Sequence, residues 1–404
     1  MARADVIISD GGATTYSGAS SRNIFQTSAG VIYVVYVDGI SDVCFRKSSD
    51  GGFTWTSPTV IFAGTTTALS CCWDKDAGLA GGLIHCAYTE SGGADTLYRT
   101  IDTASSDALS TQTTIFAGAS TAGGGALSIT RSRGGNVYCK TMIDAGTEGG
   151  FYKLLNANVP NGAWEAALTD TEALASTDQW ILVPGFAADS NDIMCVFWDA
   201  SADQISRYIY DDSANTWAET IFGAPMTFVD TTAASYPHFA VAIDSTNSQI
   251  LVVAWNRVDF VNSDLTCWTM TESAITACTD VVTDSTDDQG LCGITLDTTT
   301  GYWWVFYCGK SDGSETFSTS INVYYKSSTD SGATWGAETI LNTLGAGPIN
   351  SIVPIQRILS AVATPPPCTY FSNVTQNDTW NINVDLPVAG GGGISARKIG
   401  STLI

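Results

Sequence analysis

Two octapeptides of one pattern, Ser48-Ser49-Asp50-Gly51-Gly52-Phe53-Thr54-Trp55 and Ser328-Thr329-Asp330-Ser331-Gly332-Ala333-Thr334-Trp335, lie 280 residues apart in a chain of 404. Both place Ser, Asp, Gly and Thr at alternate positions and close with Trp. Each residue type suits a tight turn: Asp and Ser side chains hydrogen-bond turn amides, Gly accepts a positive φ, and Trp fills the space beneath. A turn written twice at such a distance implies a hairpin repeated along the chain. Ser48, Asp50, Gly52, Thr54, Trp55, Ser328, Asp330, Gly332, Thr334 and Trp335 are therefore expected to be structural.

A longer period runs through the chain. Asp5-Val6-Ile7-Ile8, Thr59-Val60-Ile61-Phe62, Thr113-Thr114-Ile115-Phe116, Glu219-Thr220-Ile221-Phe222 and Glu338-Thr339-Ile340-Leu341 align on isoleucines separated by 54, 54, 106 and 119 residues. The last two intervals are near double the first, which predicts weak copies at Glu165-Ala166-Ala167-Leu168 and Thr279-Asp280-Val281-Val282. A fixed period of this length with four short strands per repeat points to a β-propeller. The expected fold is all-β: seven four-stranded antiparallel blades, with six as the alternative. The first outer-strand copy precedes any blade, so residues 4–8 are expected to close the ring on the blade begun by residues 349–387. Residues 1–388 read as a single propeller domain. Residues 389–404 read as a Gly-rich joint and a docking tail carrying Ile394, Arg397, Lys398 and Ile399, or equally as a frayed terminus.

Within the blades, Ile250–Trp255 and Tyr302–Tyr307 are continuous apolar runs, as expected for second strands buried on both faces. Asp212-Ser213-Ala214-Asn215-Thr216-Trp217 reads as a turn of the octapeptide type that has lost its Gly.

Forty acidic residues against 17 basic ones give a formal net charge of −23, which repels phosphate backbones and anionic lipid surfaces. Nucleic acid and membrane are not expected partners, no apolar run has the length of a membrane helix, and no signal peptide is read at Met1–Asp5. Of eleven cysteines, Cys44, Cys86, Cys139, Cys195 and Cys308 sit in apolar strand-like runs and read as core fillers in a protein folded in a reducing cytoplasm. Adjacent Cys71 and Cys72 point to opposite faces of a strand. No metal spacing of His and Cys is present and no cofactor is expected; Asp284–Asp288 and Asp74-Lys75-Asp76 offer Ca²⁺ oxygen ligands but read foremost as solvated turns.

The octapeptide spacing resembles the Asp-box (BNR repeat) of the sialidase superfamily, in which the box closes the turn between the third and fourth strands of a blade. The resemblance implies a propeller; an intact sialidase site would need an arginine cluster, a carboxylate-activated tyrosine and an acid/base aspartate. Arg22 lies where sialidases carry an Arg-Ile-Pro motif, but Asn23 and Ile24 follow it here, so the site is not expected to be intact. Were the chain an enzyme, Arg22, Arg207, Arg257 and Arg357 are the candidates to converge on the axis. His85 reads as a structural second-strand residue, and His238 as a residue at the start of a strand facing the channel.

Two function classes follow. The favoured one is a non-enzymatic recognition or structural module that binds a glycan or another protein and joins a larger assembly through its tail. Folding in a cytoplasm combined with a fold typical of extracellular work suits a bacteriophage virion component, in the tail or on the capsid surface. The alternative is a sialidase-like glycoside hydrolase or a polysaccharide lyase.

Overall fold

The computed structural model describes residues 3–10, 22–91, 95–118, 127–144, 148–165, 168, 178–199, 202, 204–222, 239–259, 262–283, 290–312, 314–315, 320–343, 349–355, 357–358, 366–372 and 379–385. The chain is a β-propeller of antiparallel sheets that follow one another in sequence, each running from an inner strand outward, with the short strand Arg357–Ile358 added parallel to the inner strand Gly290–Asp297 of one of them. The inner strands are Ile24–Gln26, Thr66–Trp73, Leu127–Arg131, Gln179–Pro184, Phe239–Asp244, Gly290–Asp297 and Ile349–Pro354. Neighbouring inner strands pack side by side, Leu127–Arg131 against both Thr66–Trp73 and Gln179–Pro184, and Gly290–Asp297 against both Phe239–Asp244 and Ile349–Pro354.

Six of the sheets hold four strands or more; the one built on Leu127–Arg131, Val137–Asp144 and Glu148–Leu154 holds three among the described residues. The expectation of seven four-stranded blades is thus corrected to six complete blades, the alternative number. The cause is visible in composition. The fourth-strand copy at Glu165–Leu168 opens with Glu-Ala-Ala, residue types depleted from strands, and among the described residues it contributes one isolated bridge, Phe151 to Leu168. The copy at Thr279–Val282 likewise supplies one bridge, Leu265 to Val282, while the regular outer strand of that blade is the earlier Ile275–Ala277.

The N-terminal strand closes the ring. Arg3–Asp10 pairs antiparallel with Thr379–Asp385, from Arg3 opposite Asp385 to Asp10 opposite Thr379, and becomes the outer strand of the blade whose inner strand is Ile349–Pro354. The 54-residue period survives, but the aligned isoleucines are not all anchors. Ile61 and Ile115 are buried, whereas Ile221 and Ile340 are 47% and 45% exposed and their successors Phe222 and Leu341 are buried, as is Ile8. A one-residue slip in a strand turns its side chains over, so aligning by residue type misplaced the inward face in two copies.

The core lies between the sheets. Ile250–Trp255 and Trp303–Cys308 are buried throughout, as strands covered by a blade on each face must be, and the largest fully buried side chains include Trp180, Trp255 and Trp303. Cys44, Cys86, Cys139, Cys195 and Cys308 are buried among them.

Candidate functional site

Arg22 stands two residues before the innermost strand of its sheet, Ile24–Gln26, and is 2% exposed. Its Nη2 donates to the Ile129 carbonyl at 2.8 Å and to the Leu182 carbonyl at 2.9 Å. Those oxygens belong to the second and third sheets further along the ring, so the side chain can reach them only by crossing the axis. The sequence explains why these carbonyls need a donor. An inner strand has a free edge facing the axis, and its polar groups must be satisfied there. Ser70 Oγ accepts the Ile129 N–H at 3.2 Å and Ser128 Oγ accepts the Leu182 N–H at 2.9 Å, so a serine from each preceding blade serves the amide and Arg22 serves the carbonyls.

The guanidinium is only half used. Nε and Nη1 of Arg22 have no partner among the described residues, and Asn23 Oδ1 beside it has none either. Cys71 and Cys72 of the neighbouring inner strand lie close enough to feel its charge, and burial holds both thiols well above the ordinary cysteine range. A buried cation with carbonyl partners alone carries an uncompensated desolvation cost of several kcal/mol, which an anion bound at the axis would offset.

Arg207 does not join it. Arg207, on the third strand Gln204–Asp211, donates to the Thr271 carbonyl at 2.6 Å and to Thr220 Oγ1 at 3.0 Å, fastening its blade to the next. Convergence of Arg22 and Arg207 is corrected by that placement: a third-strand side chain is held two strands away from the axis. Arg257 and Arg357 lie in the strands Gln249–Asp259 and Arg357–Ile358, and their side chains fall outside the described residues. So do His238, Asp284–Asp288 and the tail residues Ile394, Arg397, Lys398 and Ile399.

A second buried polar cluster lies where the sequence suggested a solvated turn. Asp74 opens a short 3₁₀ turn after Thr66–Trp73 and is 1% exposed, and Asp76 is buried too, a correction to the solvated reading of Asp74-Lys75-Asp76. Asp76 accepts the Trp73 N–H, and Asp74 accepts the Leu83 N–H and an Nη1–H of Arg131. His85, wholly buried on the second strand, contacts Asp74 Oδ1 through Nε2 at 2.9 Å and the Tyr98 hydroxyl through Nδ1 at 2.7 Å. Desolvation holds the His85 pKa below the ordinary histidine value; burial pushes Asp74 up, but the hydrogen bonds from His85 and the Leu83 N–H and the charge of Arg131 outweigh it and hold Asp74 below the carboxylate value. The group is a neutral imidazole seated on a carboxylate, fully partnered and shut from solvent. Such a cluster fixes the turn. Among the described residues no three His, Cys, Asp or Glu side chains gather as a metal-binding set.

The two octapeptides fold alike. Ser48 donates to Asp50 Oδ1 at 2.7 Å and accepts the Gly52 N–H at 2.8 Å, and Asp50 accepts the Thr54 N–H at 2.9 Å and hydroxyl at 2.6 Å. The bonds of Ser328, Asp330, Gly332 and Thr334 repeat this set at 2.8, 2.8, 2.9 and 2.6 Å. Both turns join the third strand of a blade to its outer strand, after Val43–Ser48 and after Asn322–Ser328. Their tryptophans differ in use: Trp55 Nε1 donates within its turn to Gly52, whereas Trp335 donates to the Thr279 carbonyl of the neighbouring blade.

No family model matches the chain, and no curated protein matches it. Solved structures share its fold. An ulvan lyase, a polysaccharide lyase solved alone and bound to -[GlcA(1-4)Rha3S]-, superposes with a TM-score of 0.57 at 10% identity, over 94% of this chain and 95% of the lyase. The hydrazine synthase of Kuenenia stuttgartiensis gives a TM-score of 0.53 at 8% identity over 90% of this chain and 96% of that one. The sialidase of Trypanosoma rangeli is more distant, with a TM-score of 0.41 at 9% identity over 95% and 59%. The likenesses to the lyase and to hydrazine synthase are to the propeller, not to a set of site residues.

The sequence marks Arg22 only through its resemblance to the first arginine of the sialidase motif, as one of four candidates for the axis. The serines that complete its contacts were not marked at all; their signal is the pair Leu69-Ser70-Cys71 and Leu127-Ser128-Ile129, a small hydroxyl between apolar residues on two successive inner strands.

Proposed function

We propose that the protein is a non-enzymatic recognition module that binds an acid-bearing glycan at the axis of the propeller, with Arg22 as the group that reads the acid. The observation that carries this reading is the buried Arg22 guanidinium, which bonds two main-chain carbonyls and keeps Nε and Nη1 uncommitted. Oxyanion oxygens are natural acceptors for the Nε–H and Nη1–H groups left open, since hydrogen bonds from a guanidinium to a charged oxygen are the stronger kind. The ulvan lyase of similar fold, solved with -[GlcA(1-4)Rha3S]- bound, supports a saccharide as the ligand class. A body of net charge −23 repels a long polyanion, so the ligand fits best as a single acidic sugar at the end of a glycan.

The setting we infer is a bacteriophage particle, in the tail or on the capsid surface, with residues 389–404 making the attachment. Eleven free cysteines support folding in a reducing compartment before release.

Calorimetric titration with sialyl-, glucuronyl- and neutral-terminated oligosaccharides tests the reading, each repeated on Arg22→Lys, which keeps the charge and loses the fork. Binding of an acid-terminated glycan, weakened about tenfold or more in the variant, is expected. Equal affinity for neutral glycans, or affinity unchanged in the variant, removes Arg22 from recognition. Release of sugar from any of these substrates makes the propeller an enzyme.

A further inference from the structure

Cys267 and Cys278 form a cross-strand pair at the outer edge of one blade. Trp268 pairs with Ala277 and Thr269 with Thr276, so the next step of the ladder sets Cys267 opposite Cys278, and the Cys278 N–H donates to the Cys267 carbonyl at 2.8 Å. Directly opposite residues of an antiparallel pair have Cα atoms about 5.5 Å apart with side chains on one face, inside the span of about 4.4–6.8 Å that a disulfide bridges. The two thiols are in hydrogen-bond contact.

The pair is asymmetric. Cys267 is 1% exposed, whereas Cys278 is half-buried and lines a cavity of about 390 Å³ with Thr269, Thr276, Thr279, Ser331 and Gly332. The cavity is held open by the seam between two blades: Thr279 donates its N–H to Gly332 and its hydroxyl to Ala333, and Trp335 donates to the Thr279 carbonyl. Gly332, at φ 81°, leaves its Cβ position empty; an added Cβ would lie 3.1 Å from the Cys278 sulfur. Ten of the eleven cysteines are buried, and the half-buried Cys278 lines this cavity.

We propose that Cys278 is a modification site for small hydroperoxides, with Cys267 as the resolving thiol. The Cys278 thiolate attacks the distal peroxide oxygen, the O–O bond breaks, and the alkoxide of an organic hydroperoxide, or hydroxide from hydrogen peroxide, leaves and takes up a proton, giving a sulfenic acid. The Cys267 thiol then gives up its proton, its sulfur attacks the Cys278 sulfur, and water leaves as the disulfide forms. One peroxide is reduced by two electrons and two thiols are oxidised. The hydrogen bond from Cys267 also lowers the Cys278 pKa, which raises the thiolate fraction available for the first step.

The molecule carries its own control. Cys71 and Cys86 are also opposite each other across two strands and in hydrogen-bond contact, but both are fully buried. Folded protein is treated with hydrogen peroxide, the remaining thiols are alkylated, and the digest is mapped by mass spectrometry. The expected result is a Cys267–Cys278 crosslinked peptide that a reductant releases, with Cys71 and Cys86 recovered in the unoxidised form. In Cys267→Ser, a sulfenic acid trapped at Cys278 by dimedone is expected in place of the crosslink. Recovery of unmodified Cys278, oxidation of Cys71 and Cys86 at an equal rate, or conversion of Cys278 to sulfinic acid with Cys267 unchanged in the wild-type chain each overturns the proposal. Should the variant fail to fold, the wild-type map alone decides.

Discussion

Asp74 sets the energetics of its turn because three different donors depend on it. The Leu83 amide, His85 and Arg131 all converge on one carboxylate that is 1% exposed, and Arg131 is held in turn by the Gly135 carbonyl and by Asn156 Oδ1 at 3.0 Å each. Gly81 has no choice of side chain, since a Cβ there would fall 1.9 Å from Asp74 Oδ2. Removing one partner of a buried ion pair strands the other, so Arg131→Met is expected to cost about 3–5 kcal/mol in chemical denaturation. A loss below 1 kcal/mol would mean that His85 alone satisfies Asp74. The same cluster predicts an acid limit. His85 stays neutral in the fold while an unfolded histidine titrates near 6.5, so below that pH the unfolded chain binds the extra proton and stability falls as pH drops. The lowered Asp74 adds a second loss of the same sign at more acidic pH, below the ordinary aspartate value of 3.8. Thermal melts from pH 7.5 to 5 should show a falling midpoint, and His85→Asn should flatten the decline between pH 6.5 and 5; an unchanged slope would place the acid sensitivity elsewhere.

Strands and turns were legible in the sequence to the extent that one residue type could do one job. Asp50 and Asp330 each order an entire turn through local hydrogen bonds, so the octapeptide states its own structure. Apolar runs such as Ile250–Trp255 declare burial in the same direct way. What the sequence hid was partnership over distance: nothing near Arg22 names Ile129 and Leu182, and nothing near Asp74 names His85 and Arg131, because those contacts exist only once blades stack. The slip at Ile221 and Ile340 has a related origin, since the inward face of an outer strand is set by its pairing and bulges rather than by its residue types. Two glycines of similar backbone separate local strain from packing. Gly301, at φ 75°, has nothing within 4 Å of its Cβ position, whereas at Gly332 a Cβ would meet the Trp303 ring at 2.7 Å and Cys278 at 3.0 Å. Gly301→Ala is expected to cost about 1–2 kcal/mol from left-handed strain alone, and Gly332→Ala about 1–3 kcal/mol more from overpacking. Denaturant midpoints of the two variants check the difference, and equal midpoints would show that the seam at Trp303 yields freely.

Ring closure makes the two ends of the chain a single element of stability. Arg3–Asp10 is the strand that covers the edge of Thr379–Asp385, and its Ile8 is fully buried with Ile24, Ile32 and Val353, residues of the first and last blades. The short Arg357–Ile358 strand beside Gly290–Asp297 aside, the strands of every other blade come from one continuous stretch of chain, so each can form locally, while this one waits for a strand that lies more than 300 residues away in sequence. Loop closure over such a distance adds entropy cost only slowly with length, so the docking strand needs modest affinity to hold the ring shut. Deleting residues 1–10 removes seven paired positions along that edge, and at about 1 kcal/mol net per ladder hydrogen bond the loss is on the order of 5 kcal/mol before Ile8 is counted. The exposed edge is also a template for other chains. The truncated protein is therefore expected to melt earlier and to associate with rising concentration in size-exclusion chromatography. A synthetic peptide of residues 1–10 should restore both the midpoint and the monomer, because the vacated edge accepts a strand from any source. A truncated chain that stays monomeric with an unchanged midpoint would show that inter-blade packing closes the ring without the strand, and would leave Arg22 as the tie across the axis.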